Sequence, residues 1–293
     1  MSFREKSFWL DEEYKPNEPV TSDREVDVII IGGGFTGLSA AYFLKKEDRD
    51  LKVALLEKEV IGYGASGRNG GFCMTLLAEN AMDLVEFAGT LEAARLAHKY
   101  QRAAVSHVDT MVKEYGLKCD YEMNGLMTVA LNPAHIEKMK EYVETYNKLG
   151  TDAVFLNQDE IRKRFRTEAF YGACYDRNCA ILNPAKLCRE MKRVVEGHGV
   201  DVYEMTEVLG YEDGEKIKIR TANGTVTAKA VVLATNAYIT QLDRQFREAG
   251  IPVFTYIVLT EPLTDEQYES IGWKGREGIE TSLRMINYFR LTA

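Results

Sequence analysis

Gly32, Gly34 and Gly37 fall at the spacing G-x-G-x-x-G, which brings a backbone close enough to a pyrophosphate for its N–H groups to bind the anion. Gly32 permits a tight turn, and Gly34 has no Cβ to block the phosphates. Gly37 lets the following helix pack closely on the preceding strand. Phe35 and Thr36 lie between Gly34 and Gly37, so their N–H groups belong to a helix N-terminus that faces the anion. Glu57 stands twenty residues after Gly37. A carboxylate there accepts hydrogen bonds from adenosine ribose hydroxyls and repels a 2′-phosphate, which argues against NADP. Lys58 follows it and joins the candidate set. The chemistry these residues suit is dinucleotide binding. Any α/β domain can contain a glycine turn; the acidic residue at this distance gives the turn its meaning.

Such residues work only if the elements around them hold them together. The apolar run from Asp27 to Ile31 must be a strand, the glycines its exit, and the Ala/Leu-rich sequence after Gly37 a helix. Lys52–Leu56 must be a second buried strand that ends at Glu57. Residues 1–25, with Pro16 and Pro19, read as an extended leader. The glycine-rich segment 62–71 follows the second strand, and helical patterns cover Ala78–Ala88 and Leu91–Tyr115. Tyr121–Leu131 is strand-like and stops at Asn132-Pro133, which opens a charged helix running to Gly150. Asn157 caps a short helix over Gln158–Arg166, and Tyr171–Tyr175 reads as a strand. Asn183 as N-cap with Pro184 at the first position starts another helix. Strands are expected at Val200–Met205, Lys216–Arg220, Val226–Ala228 and Ala230–Ala234, with Asn223-Gly224 as a hairpin turn. Further strands are expected from Pro252 to Thr260 and from Asn287 to Ala293.

This order predicts an α/β fold, with a discontinuous Rossmann-type domain carrying an inserted α+β domain. A NAD dehydrogenase completes its six-stranded sheet continuously. Here the sheet stops after two strands and resumes at Val200, which favours FAD in a two-domain flavoprotein. The expected boundaries are the leader at 1–25, a FAD-binding domain from 26–75 plus 183–245, and a substrate domain from 76–182 plus 246–293.

The 293 residues suffice for two cores, and 45% apolar with 28% charged residues is globular composition. A net charge of −8 leaves no footprint for nucleic acid. The basic run Arg162-Lys163-Arg164-Phe165-Arg166 reads as one solvated helix end. No stretch approaches a membrane span, and the charged N-terminus has no apolar signal region. Five cysteines, with no C-x-x-C pair, read as reduced thiols of a cytoplasmic protein. The four histidines show no metal spacing, so no metal is expected.

Three blocks, Ile29–Leu44, Ile61–Phe72 and Ala230–Tyr238, resemble the D-amino-acid-oxidase-like family of FAD-dependent oxidoreductases. This family includes glycine-, sarcosine- and dimethylglycine-oxidising enzymes. The most specific string is Gly64-Ala65-Ser66-Gly67-Arg68-Asn69-Gly70-Gly71; Asn236-Ala237-Tyr238 and Tyr288-Phe289-Arg290-Leu291-Thr292-Ala293 add to it. The resemblance implies that loop 64–71 runs beside the flavin, with Gly64, Ala65, Ser66, Asn69, Gly70 and Gly71 as contacts. Arg68 would face a phosphate, a flavin edge or a substrate carboxylate; on sequence alone a surface ion pair is an equal reading. The resemblance places backbone groups of Val208 at the adenine edge. It also places a sharp turn beneath the flavin at Ala234-Thr235-Asn236, where Asn236 stands in for a glycine. Tyr288 and Arg290 would share one face of the last strand and line a substrate cavity; without the resemblance they read as an aromatic core strand with a snorkelling Arg.

Loop 61–71 has no His, and Cys73 reads as a buried small hydrophobe, so the FAD is expected to be non-covalent. The activity implied is oxidation of the C–N bond of a small amine or amino acid by hydride transfer to flavin, with dioxygen as acceptor. The substrate would be gamma-glutamylputrescine-like, or a sarcosine- or glycine-type amino acid. An inactive FAD-binding fragment is the other reading, because relatives continue past the last motif. The resemblance therefore implies a substrate domain incomplete at its C-terminal end, and it names no catalytic residue.

Overall fold

Val28–Ile31 forms a strand whose three isoleucines are buried, as a continuous apolar run demands of a parallel sheet covered on both faces. It pairs in parallel with Val53–Leu56 on one side and Ala230–Leu233 on the other. Val200–Tyr203 joins the far side of Val53–Leu56, also in parallel. The two early strands thus share one sheet with strands that follow much later in the chain. The computed structural model describes residues 7–75, 81–246, 248, 253–283 and 286–292.

The chain divides into two units. The first comprises Met1–Asn69, Leu117–Cys119 and Asn183–Ile257. Besides the parallel sheet it holds the helices Phe35–Glu47 and Pro184–Gly197, the latter started by Asn183 and Pro184 as the sequence requires. Asn183 Oδ1 accepts from the N–H groups of Ala185 and Lys186. A second sheet orders Arg24–Glu25, Thr225–Ala228, Ile217–Arg220 and Gly210–Glu212. The Asn223-Gly224 turn joins its two central strands. Val20, Val26, Ile29, Ile31, Ala54, Leu56, Ile219, Val226 and Ala228 form one core shared by the two sheets.

The second unit comprises Gly70–Gly116, Asp120–Leu182 and Val258–Ala293. Its five-stranded sheet runs Tyr288–Phe289, Gly278–Thr281, Leu126–Ala130, Gly172–Asp176 and Val154–Asn157. The helices Ala81–Ala88, Leu91–Tyr115 and Ile136–Lys148 contribute Leu84, Ala94, Met139, Tyr142 and Tyr146 to a core with Ala130 and Cys174. A second core gathers Met127, Val129, Ile161, Phe170, Trp273 and Ile279.

Several expected bounds move. Tyr121–Leu131 becomes a strand only from Leu126, after Gly125 at φ +82. The helix begun by Asn157 has a full capping box but ends at Arg162. The helix opening at Pro133 starts as a 3-10 turn and becomes α-helical at Ile136. Residues 253–260 form no strand, because alternation makes a strand only where a neighbour takes up its backbone groups; Pro252 lies outside the described residues. The last strand is only Tyr288–Phe289, so Arg290 lies just beyond it; Ala293 is outside the described residues, as are 1–6 of the leader and 78–80 of the first helical pattern. No described helix is long and apolar enough to cross a membrane.

Candidate functional site

The first unit builds a turn at the C-terminal ends of adjacent parallel strands. Gly32 adopts φ +112, and a Cβ there would lie 2.5 Å from the Ala234 carbonyl oxygen. Only glycine fits this position. Gly37 comes closer still to the turn: its Cβ would sit 2.0 Å from the Gly32 oxygen. Gly34 precedes the helix Phe35–Glu47 and, as a glycine, offers no side-chain cap of its own. Such an end leaves N–H groups that an anion can take, and Thr36 and Gly37 lie in its first turn.

Glu57 follows the neighbouring strand and turns its carboxylate back to the glycines. Its Oε2 accepts from the Gly33 N–H at 2.7 Å and its Oε1 from the Glu59 N–H at 3.0 Å. Burial raises its pKa above the ordinary carboxylate value, against the opposing pull of those two N–H groups. Lys58, next along, points to an exposed pair with Glu207 at 2.7 Å.

Ser66 belongs to a 3-10 turn, Ala65–Gly67, that Gly64 precedes. Its hydroxyl accepts from the Phe35 N–H at 3.0 Å and lies 2.8 Å from where a Gly34 Cβ would be. Asn69 closes this turn by donating from Nδ2 to the carbonyls of Ala65 and Ser66. Arg68 donates from Nε to the Tyr63 carbonyl, and its guanidinium lies 4.5 Å from the centre of the Tyr63 ring. Gly32, Gly34, Phe35, Ser66, Glu57 and Ala234 therefore meet in one place.

Val208 packs against the core shared by the two sheets of this unit. Ala234 donates its N–H to Ile31 O at 2.8 Å, and Asn236 takes φ +47, the left-handed turn for which asparagine is suited. Between them, the Thr235 hydroxyl is buried and has no hydrogen-bond partner among the described residues.

In the second unit Gly70 and Gly71 meet the last strand. A Cβ on Gly70 would lie 2.4 Å from the Tyr288 ring, which also packs edge-on against Phe72 at 5.2 Å. Gly71, at φ +74, faces Arg290, whose Nη1 donates to the carbonyls of Gly71 at 2.9 Å and Leu182 at 2.6 Å. Burial brings the Arg290 pKa down to about 10, which still leaves the guanidinium charged at neutral pH. Tyr288 and Arg290 do approach the same backbone, although a regular strand does not carry both. Cys73 has a thiol that burial pushes up to about 11, so it is poorly disposed to form a thiolate.

Residues 27–293 match the family model described as FAD dependent oxidoreductase. The chain belongs to this family. It is 29% identical over 282 residues to gamma-glutamylputrescine oxidoreductase of Escherichia coli K12, a match covering 96% of this chain and 65% of that protein. Glycine oxidase of Bacillus licheniformis is 26% identical over 245 residues, covering 82% of this chain and 61% of the relative. Among solved structures, glycine oxidase from Bacillus cereus aligns with a TM-score of 0.58 and 27% identity, over 75% of this chain and 58% of that one. The L-proline dehydrogenase of P. horikoshii shares the fold with a TM-score of 0.64 at 20% identity, over 88% of this chain and 65% of that one. This chain thus spans slightly less than two thirds of the length of these relatives.

For a FAD-dependent oxidoreductase, the first unit has the donor set that the ADP half of the cofactor needs. The glycine turn allows close approach, Glu57 has acceptor capacity left for hydroxyls, and Thr235 offers a hydroxyl with no partner among the described residues. Sequence reasoning missed three residues here. Gly33 is the glycine that binds Glu57, Thr235 carries that hydroxyl, and Glu204 accepts the Ile61 N–H at 2.7 Å. The middle glycine of a Gly-Gly-Gly run could have signalled the first. Nothing local marks Glu204, whose Tyr14, Asn17 and Ile61 partners are far away in sequence.

Proposed function

We propose that this chain binds FAD non-covalently in its first unit and acts as an FAD-dependent amine oxidoreductase. In this reading Gly32, Gly34, Phe35, Thr36, Gly37 and Ser66 surround the pyrophosphate. Glu57, with Lys58 beside it, takes the ribose hydroxyls, and Val208 presents backbone to the adenine. Ala234 and Asn236 form the turn under the flavin, and Gly64, Ala65, Asn69, Gly70 and Gly71 run alongside it. Bound FAD supplies a hydride acceptor, so that a C–H beside an uncharged amine nitrogen can be oxidised to an imine.

The observation that carries the reading is the Glu57 carboxylate turned onto the Gly33 N–H at the end of two adjacent parallel strands. Ribose hydroxyls that donate to Glu57 would compensate the burial of its charge. In the second unit Arg290 fixes the Gly71 carbonyl and so orients Phe72 and Tyr288. Tyr288, Arg290 and Arg68 are the candidates for substrate contact. The high thiol pKa of Cys73 supports a non-covalent cofactor. Five free cysteines suit a cytoplasmic protein. The proposed substrate is gamma-glutamylputrescine or a similar small amine, with dioxygen as final acceptor; the E. coli relative supports this choice.

Gly34→Val tests the cofactor reading, because the new side chain would point at Ser66 and fill the phosphate approach. The wild-type protein should hold yellow, acid-releasable FAD through desalting, and the variant should emerge colourless. Equal flavin absorbance in both would reject the assignment, and colour remaining in the acid pellet would reject the non-covalent part. Anaerobic gamma-glutamylputrescine should bleach the bound flavin. Bleaching by sarcosine or glycine alone would move the substrate to amino acids, and bleaching by hydroxy acids alone would remove amines altogether.

A further inference from the structure

We infer that Trp9 is a positioning residue for the cofactor loop: its indole holds the Asn69 carbonyl and, through Asn69, keeps Ser66 at the mouth of the glycine turn. The consequence for FAD rests on the reading above; the geometry does not.

Trp9 lies in the 3-10 turn Phe8–Leu10 and is buried with Leu10 and Ala185. Its Nε1 donates to Asn69 O at 2.8 Å. The Asn69 side chain then donates to Ala65 O at 3.1 Å and Ser66 O at 2.9 Å. Ser66 Oγ in turn accepts from the Phe35 N–H at 3.0 Å. These bonds form an unbroken path from the indole to the helix N-terminus beside Gly34.

The same segment grips the other end of the loop. Tyr14 Oη and the Asn17 N–H donate to Glu204 at 2.8 and 2.9 Å, and Glu204 takes the Ile61 N–H. Residues 61–69 contain Gly62, Gly64 and Gly67, and a glycine-rich loop loses much backbone entropy on ordering. Bonds from outside the loop offset that loss before a ligand arrives. Packing alone would need only a ring at position 9. A buried indole N–H also needs an acceptor, and the acceptor it finds is the loop backbone.

Trp9→Phe keeps the ring and removes the bond. With the full chain stripped of flavin and titrated with FAD, this variant should bind about tenfold more weakly, the effect of one modest hydrogen bond. Amide hydrogen exchange in 61–69 should quicken in the FAD-free protein while the melting temperature stays near wild type. Asn69→Ala keeps the carbonyl that Trp9 holds but cuts the ties to Ala65 and Ser66, so it should match Trp9→Phe. Leu10→Ala opens the same core without touching the loop; it should lower the melting temperature and leave both FAD affinity and loop exchange within about twofold of wild type. Unchanged loop exchange in Trp9→Phe would overturn the inference, as would Leu10→Ala reproducing its full pattern. If the wild type takes up no FAD, the FAD reading fails and the exchange comparison still decides the role of Trp9.

Discussion

Glu57 and Glu204 each follow the last residue of a parallel strand, and those last residues, Leu56 and Tyr203, are register partners in the sheet. Their surroundings differ. Glu57 accepts two backbone N–H groups, while a carboxylate offers about four lone-pair sites. Glu204 is fully buried and takes four donors: the Tyr14 hydroxyl, the N–H groups of Asn17 and Ile61, and the Lys192 ammonium at 2.7 Å. Lys192 is itself buried and donates also to Tyr14 and Asn17. Burial and the Glu204 charge drive the Tyr14 phenol pKa well up, so Tyr14 stays a donor. One carboxylate keeps capacity for a ligand, and the other spends all of it on the fold. The position in the sheet is the same; the partners decide the role.

Glu204→Gln should break the second half of this comparison with the largest effect. It leaves the Lys192 charge buried without its counter-charge, which costs about 3–5 kcal/mol. Denaturant unfolding of the flavin-free protein should show the loss. Replacing Lys192 by Met in the same chain should recover much of it, since removing both charges avoids the unpaired ion. A single variant within about 1 kcal/mol of wild type would mean that Glu204 is not the structural member of the pair.

Glu57→Gln should act on the ligand and spare the fold. Loss of charged acceptors should weaken FAD binding roughly 10- to 100-fold, read by fluorescence titration. The pH dependence of the flavin-free protein gives a second check. Burial raises the Glu57 pKa above the ordinary 4.5. Its favourable contribution is therefore complete below pH 4.5 and is lost as pH rises through the raised folded value. Glutamine does not titrate there, so wild type should gain stability on the variant as the pH falls from neutral toward 4.5. Parallel stability curves across that window would contradict the direction assigned to Glu57.

The same contrast shows what the sequence could reveal. Glu57 was legible because its meaning depends on a local interval, from the glycine turn to the end of the next strand. The first two parallel strands were legible as buried apolar runs, and Asn183-Pro184 and Asn157 as helix starts, since caps act within three or four residues. Glu204 was illegible because Tyr14, Asn17 and Ile61 reach it from more than a hundred residues away. Trp9 looked like part of a plain leader because its acceptor, Asn69, is also distant in sequence. Residues 253–260 misled in the opposite way: they alternate like a strand but have no strand partner among the described residues. Arg290 was read into a strand that ends at Phe289, and its partners are backbone carbonyls that no side-chain pattern encodes.

Lys58 gives the smallest expected effect and the finest division between the two roles. It is paired with Glu207, and both side chains are about half exposed, at 55% and 51%. The Glu207 hydrogen bond raises its pKa, yet exposed pairs of this kind add at most about 1 kcal/mol. Lys58→Ala should therefore change unfolding stability by less than about 0.5 kcal/mol. Its place beside Glu57 puts a positive charge near the proposed ribose and pyrophosphate, so FAD affinity should fall about two- to threefold at low ionic strength. Screening should remove that difference near 0.5 M salt, where the Debye length is only about 4 Å. An affinity equal to wild type at low salt would leave Lys58 as the partner of Glu207 alone, and the acidic residue before it as the nearer limit of the ligand site.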